Sequence, residues 1–296
     1  MAKHVFELAL INTILTMRNS RRVYCSVENS KKYIEEMGHI SSKPYVIQSS
    51  HKNLWKEELV EGLPCFIRKG TSKTFLFYLH GGSYIEQAGK YQISMIDAIA
   101  KGTNATVILP VYPLAPHVTF EASYAKVEAV YDKLLSSINP HKIILVGDSA
   151  GAGFALGLYL LRAEKKKPLP DKLILVSPFV DITMSNPEIA EFEPKDHVLS
   201  SPGIIEMANA WAGDANFKDY RLSPIYGDLS SVKSLMLFVA GADILCPDGR
   251  LLKKKLEALH KKVVYIEEPG HPHDYPVLPM SAAKTAIQKM IEYVKE

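Results

Sequence analysis

Lys142-Ile143-Ile144-Leu145-Val146-Gly147-Asp148-Ser149-Ala150-Gly151-Ala152-Gly153 is the stretch that decides how this chain folds. Lys142–Val146 is a short apolar run of the kind that lies buried on both faces of a parallel sheet. From Ala150 to Lys165 the pattern becomes helical. Between them sits Gly147-Asp148-Ser149-Ala150-Gly151, a G-x-S-x-G match. A strand that turns at once into a helix holds the intervening serine in a strained, tight turn at the strand's end, and strand and helix pass so close there that small residues are needed on both sides. Gly151, Gly153 and Gly157 keep the helix's near face narrow for the same reason. A random chain of this length would show roughly 0.1 such matches. Ser149 is therefore the predicted nucleophile.

Outward from this turn, short apolar runs alternate with helical stretches. The strand candidates are Thr74–Leu79, Ala105–Val111, Lys142–Val146, Lys172–Val176, Ser234–Ala240 and Lys262–Ile266. Helical patterns fill the gaps at Lys90–Lys101, Phe120–Ser137, Ala150–Lys165 and Gly249–His260, and Ser281–Val294 closes the chain. Alternation of this kind predicts a doubly wound α/β sheet, mostly parallel and flanked by helices. Tyr45–Ser49 and Leu63–Arg68 read as an antiparallel start to the same sheet. Residues 1–40, and residues 183–220 with a helical stretch at Pro202–Trp211, break the pattern. Together they are expected to form a helical lid over the sheet's carboxyl edge, where ligands bind in open α/β sheets. No internal repeat or low-complexity linker divides the chain, so one domain over residues 1–296 is expected.

A serine is a weak nucleophile without a base, a group to orient the base, and donors for the developing oxyanion. His80-Gly81-Gly82-Ser83-Tyr84 follows the strand Thr74–Leu79, and its glycines let amide N–H groups of Gly81, Gly82 and Ser83 face an oxyanion. The N–H of Ala150, at a helix N-terminus, is the partner donor. In folds of this type the acid and then the base follow the serine along the chain. The late histidines are His271 and His273, in Gly270-His271-Pro272-His273-Asp274-Tyr275; His260 reads as a surface residue ending a helix. The acids at strand ends are Asp181, Asp243 and Asp248, with Asp243 closest to its strand.

The 296 residues carry 47% hydrophobic and 23% charged side chains, an ordinary globular balance, and a net charge of +3. That charge is too small to argue for nucleic acid, and no basic stripe with aromatics supports it. Glu164-Lys165-Lys166-Lys167 reads as a solvated helix end. Three scattered cysteines, Cys25, Cys65 and Cys246, suggest neither a zinc site nor a disulfide framework and fit a reducing, cytoplasmic setting. No metal or cofactor is called for. Val5–Met17 is apolar but well short of the ~20 residues that span a bilayer. It is read as an amphipathic helix with no stable membrane insertion. No small-residue cleavage site follows it. A homodimer is left open.

The blocks His80-Gly81-Gly82, Tyr112-Pro113-Leu114-Ala115-Pro116, Gly147-Asp148-Ser149-Ala150-Gly151, Ser177-Pro178, Ser223-Pro224, Gly241-Ala242-Asp243 and His273 resemble the hormone-sensitive-lipase-like family of esterases, over about residues 74–296. The resemblance implies the α/β-hydrolase fold. It implies Asp243 as the acid and, from a G-x-x-H-x-aromatic block on Gly270, His273 and Tyr275, His273 as the base. It implies a small-molecule ester as substrate, with acyl chains of about four to six carbons filling a closed pocket. The same machinery could cleave amides, and a ligand-binding member without chemistry is the remaining alternative. Three positions depart from the family: Ser83 replaces a third glycine, Ala152 a glycine, and Ile244 a proline after the acid. The last leaves that loop less rigid by expectation.

Overall fold

The computed structural model describes residues 2–48, 50, 52–138 and 142–296. Two helices lead in, α1 (Ala2–Met17) and α2 (Val27–Ser41). Then come β1 (Trp55–Val60), β2 (Leu63–Arg68), β3 (Thr74–Leu79), α3 (Lys90–Thr103), β4 (Thr106–Pro110), α4 (Phe120–Ile138), β5 (Lys142–Asp148), α5 (Ser149–Glu164) and β6 (Lys172–Val176). The chain ends with α6 (Ile189–Phe192), α7 (Ser201–Ala212), β7 (Ser234–Ala240), α8 (Cys246–Ala258), β8 (Lys262–Glu268) and α9 (Ser281–Lys295).

The eight strands form one sheet in the order β1-β2-β4-β3-β5-β6-β7-β8. The pairs β1–β2 and β2–β4 are antiparallel; from β4 to β8 all neighbours are parallel. Two apolar layers cover its faces. α4, α5 and α8 pack on one side through Val127, Phe154, Leu158 and Leu252, and α3 and α9 on the other through Ile93, Ile96, Met290 and Tyr293. This is the α/β fold the alternating pattern predicts. Parallel strands carry a consequence: the loops after β3, β5, β6, β7 and β8 all emerge at one edge, and these loops hold the candidate residues.

Three expectations change. Residues 45–48 pair with no strand, and Ser49 lies outside the described residues. The antiparallel edge is Trp55–Val60 instead, where Lys56, Glu57 and Glu58 hide the strand in a charged sequence. An edge strand with one partner can expose such residues to water. Tyr45 packs edge-on against Phe66, 5.4 Å between ring centroids. The lysines after α5 are not simply solvated: Lys165 pairs with Glu128 at 2.6 Å, and Lys167 with Asp132 at 2.7 Å, tying α5's end to α4. Helix α1 has no clean apolar face either. Leu8 and Ile11 rest against the core, Glu7 hydrogen-bonds Ser281 at the start of α9, and Phe6 and Met17 stay 72% and 80% exposed. No helix among the described residues is long and apolar enough to cross a membrane.

The two segments expected to form a lid do meet. α2 packs on α7. Gly203 lets them close up, since a Cβ there would lie 2.2 Å from the Tyr24 Cα. Trp211 of α7 is fully buried and stacks on Tyr84 with ring centroids 4.5 Å apart. Tyr84 follows Ser83, so α7 packing supports the loop after β3. Truncating a buried tryptophan of this kind typically costs about 3–5 kcal/mol.

Candidate active site

Ser149 sits where β5 becomes α5, with φ +51°, a left-handed conformation that non-glycine residues rarely adopt. The helix lies almost on the strand's neighbours: a Cβ on Gly151 would meet the Leu79 and His80 carbonyl oxygens at 2.1 and 2.4 Å. Both are backbone atoms of β3 and its loop and cannot swing away. Gly151→Ala is therefore expected to destabilise the protein by about 3 kcal/mol or more, because the overpacking has no side chain to absorb it. A thermal midpoint within a degree or two of the parent protein would contradict this.

Ser149 Oγ lies 2.9 Å from His273 Nε2, and His273 Nδ1 lies 2.7 Å from Asp243 Oδ2. All three side chains are buried. β7 and β8 place the acid and the base side by side: their last residues pair, Gly241 N–H donates to Glu268 O, and Ala242 N–H donates to His271 O. Asp243 Oδ1 accepts from Leu245 N–H at 2.8 Å, which fixes the carboxylate while Oδ2 faces the ring. With Nδ1 protonated, Nε2 is free to accept the Ser149 proton.

The competing candidates are held elsewhere. His271 faces the Pro269 carbonyl at 3.0 Å and the edge of Tyr275. Asp181 accepts from Thr183 and Tyr226, and Asp248 from Asn186. His260 is exposed just beyond α8, as expected.

On the other side of Ser149, β3 pairs directly with β5, so the loop after Leu79 lies against the serine turn. Gly82, Ser83 and Tyr84 all have positive φ. Among the described residues, no hydrogen bond engages the amides of Gly82 or Ser83. The Asp148 carboxylate beside this loop accepts from Tyr78 Oη and Gln92 Nε2, both at 2.6 Å. His80 stacks on Tyr112, and burial lowers its imidazole to about 4, so it stays neutral as a structural post.

Three residues near the site carried no sequence signal. Asp196, in the loop after α6, accepts from Val198, Leu199 and Ile244 N–H groups at 2.7 to 2.9 Å. Burial, and then the Asp243 charge, push it up to about 7. Ile244 is the residue that replaces proline; its N–H, which proline lacks, ties the acid's loop to Asp196. The loop is therefore pinned rather than loosened. Tyr24 reaches across from the lead-in helices to Ser83 Oγ at 3.0 Å. Asp274 approaches His273 Nε2 to 3.4 Å.

Burial pulls the His273 imidazole down, but the carboxylates of Asp243, Asp274 and Asp196 outweigh it and hold the ring above its ordinary value. A base of raised pKa stays protonated to higher pH, so activity that depends on neutral His273 falls early on acidification. The acid limb of a kcat/KM profile is expected to have its midpoint above the ~6.5 of an ordinary histidine. A midpoint at or below that value would contradict the electrostatics.

Cys65 and Cys246 are buried, and burial pushes both thiols up to about 12, so neither is a nucleophile. A surface cavity of about 570 Å³ lies against the antiparallel edge, lined by Leu59, Ile67, Phe75 and Leu134, and includes none of the triad candidates.

Known proteins are similar to this chain in sequence and in fold. An esterase of Acinetobacter venetianus is 28% identical over 197 residues, 66% of this chain and 65% of that protein. The match thus spans less than two thirds of that relative. An acetyl-hydrolase of Streptomyces hygroscopicus is 27% identical over 209 residues, 69% of this chain and 70% of its own length. Among solved structures, the hormone-sensitive-lipase homologue EstE7 from a metagenome library superposes with a TM-score of 0.83, covering 97% of both chains at 24% identity, a likeness of fold. A family model described as the alpha/beta hydrolase fold matches residues 76–277, from β3 through the turn that follows His273. The chain belongs to that alpha/beta hydrolase family.

Proposed function

We propose that the chain is a carboxylesterase working through Ser149, His273 and Asp243. The observation that carries this reading is the unbroken relay of 2.9 and 2.7 Å from the serine hydroxyl through the imidazole to the carboxylate. Ser149 Oγ attacks the ester carbonyl as His273 Nε2 takes its proton. The tetrahedral oxyanion is held by the N–H groups of Gly82, Ser83 and Ala150. His273, stabilised as imidazolium by Asp243, returns the proton to the leaving alcohol, and water then repeats the sequence on the acyl-enzyme. The esterase and acetyl-hydrolase relatives support ester over amide substrates. The three unpaired cysteines agree with a reducing compartment such as the cytoplasm.

The lid supports a small substrate. Tyr24 meets Ser83 and Trp211 of α7 stacks on Tyr84, both in the loop after β3, and this cover supports the reading that the acyl group enters a bounded pocket rather than an open groove. Each methylene contributes about 0.8 kcal/mol while it fits and nothing once the pocket is full. The test is kcat/KM across p-nitrophenyl esters from acetyl to palmitoyl, with and without micelles, beside aminoacyl anilides. A maximum at short chains with weak anilide turnover is expected. Preferred anilides would make the enzyme an amidase, and activity that needs micelles would make it a lipase.

Ser83 offers a sharper check of the donor assignment. With φ +53°, its backbone suits glycine, so Ser83→Gly is expected to keep most activity. Ser83→Pro loses the N–H and the φ together and should fall by about 10²–10³ or more. A Ser83→Gly variant as impaired as the proline variant would assign the work to the hydroxyl that meets Tyr24.

A further inference from the structure

Asp274 follows the base and has no part in the relay described above. Its backbone is left-handed, φ +55°, which aspartate tolerates better than most residues. Its N–H donates to Ser177 Oγ at 3.1 Å. This turn brings the carboxyl back over the imidazole: Oδ2 lies 3.4 Å from His273 Nε2, the nitrogen that faces Ser149 Oγ. Oδ1 is buried and, among the described residues, accepts no hydrogen bond. Burial, above all, holds this carboxyl well above the usual range. Polar lining continues across the site. The Tyr24 hydroxyl meets Ser83 Oγ at 3.0 Å.

Position determines what Asp274 can read. To receive its proton, the oxygen of a departing alcohol must come within roughly 3 Å of Nε2. A carboxyl 3.4 Å from the same nitrogen then neighbours the first carbons of that alcohol. A purely alkyl alcohol would seal the unpartnered oxygen away from any donor. A hydroxyl one carbon beyond the esterified one would donate to it, whether the carboxyl is ionised or neutral. Sites with a buried polar group that only one substrate satisfies discriminate against the other.

We propose that Asp274 is a specificity-determining residue that favours partial esters of polyols, in which a free hydroxyl stands beside the esterified one, over esters of simple alcohols. This rests on the esterase reading above. It is tested on the full chain with three butanoate esters: 2-hydroxyethyl, n-propyl of the same size, and choline, which carries charge but no donor. p-Nitrophenyl butanoate is measured alongside. The 2-hydroxyethyl ester is expected to exceed the n-propyl ester in kcat/KM by about tenfold or more. Asp274→Gly, which suits the positive φ, should bring that ratio close to one. Asp274→Asn, which keeps an acceptor oxygen, should restore much of it, as a merely structural role would not. A parent ratio near one, or an unchanged ratio in Asp274→Gly, overturns the proposal. So does a choline ester preferred over the 2-hydroxyethyl ester, which would make this an ammonium site. If the parent enzyme turned over none of these esters, p-nitrophenyl butanoate included, the esterase reading itself would fall, and this proposal with it.

Discussion

Replacing Ser149 with alanine is expected to lower kcat on activated esters by about 10⁴ or more while leaving the fold intact. The loss is large because the hydroxyl is the attacking group and nothing near it can substitute: Cys246 is buried, and no other serine hydroxyl lies against His273 Nε2 among the described residues. The fold survives because Ser149's neighbours pack against its backbone, with Phe179 N–H donating to the Ser149 carbonyl at 3.0 Å. Alanine also strains the left-handed φ no more than serine does. His273→Ala should be nearly as inactive. The double variant should be little worse than either single one, because the two side chains act as one unit. Steady-state rates on p-nitrophenyl butanoate check this, and losses that multiply would show that the two residues do not share a mechanism.

Asp243→Asn should cost about 10⁴ in kcat, although it changes one atom. The carboxylate receives Nδ1–H of His273 and Leu245 N–H on its two oxygens. An amide must turn its NH₂ towards one of them. Since Leu245 N–H is a fixed backbone donor, the NH₂ faces the ring, favours the other tautomer, and leaves Nε2 carrying a proton it should be accepting. Asp181→Asn and Asp248→Asn are expected to stay within a fewfold of the parent, because their partners are Thr183, Tyr226 and Asn186 rather than the base. His271→Ala should likewise keep most activity. An Asp243→Asn variant with normal rates, or a crippled Asp248→Asn, would move the acid to another strand end.

Much of this arrangement was legible in the sequence because it depends on local rules. The parallel strands announce themselves as apolar runs, largely buried on both faces except in β8, which lies half-buried at the sheet's edge. The serine turn requires small residues at fixed spacing, and chain order narrows the partners. The family likeness then selects Asp243 and His273 from groups that chemistry alone leaves open. What stayed hidden depends on contacts between distant segments. β1 is an edge strand whose charged residues face water, so its sequence does not look like a strand. Asp196 lies 47 positions from Ser149 in an unpatterned loop, and its value comes from meeting Ile244 N–H after folding. Asp274 sits inside the very block that identifies the base, yet the direction of its carboxyl follows from a backbone φ that no periodicity reveals.

The most direct test of the central claim is covalent. The full chain is treated with a fluorophosphonate, which phosphonylates a serine activated as a nucleophile with loss of fluoride, and its intact mass and labelled peptide are determined. One adduct on Ser149, formed in step with loss of ester turnover and absent from the His273→Ala variant, is expected. An enzyme that remains active without an adduct, or an adduct on any other serine, would contradict the account.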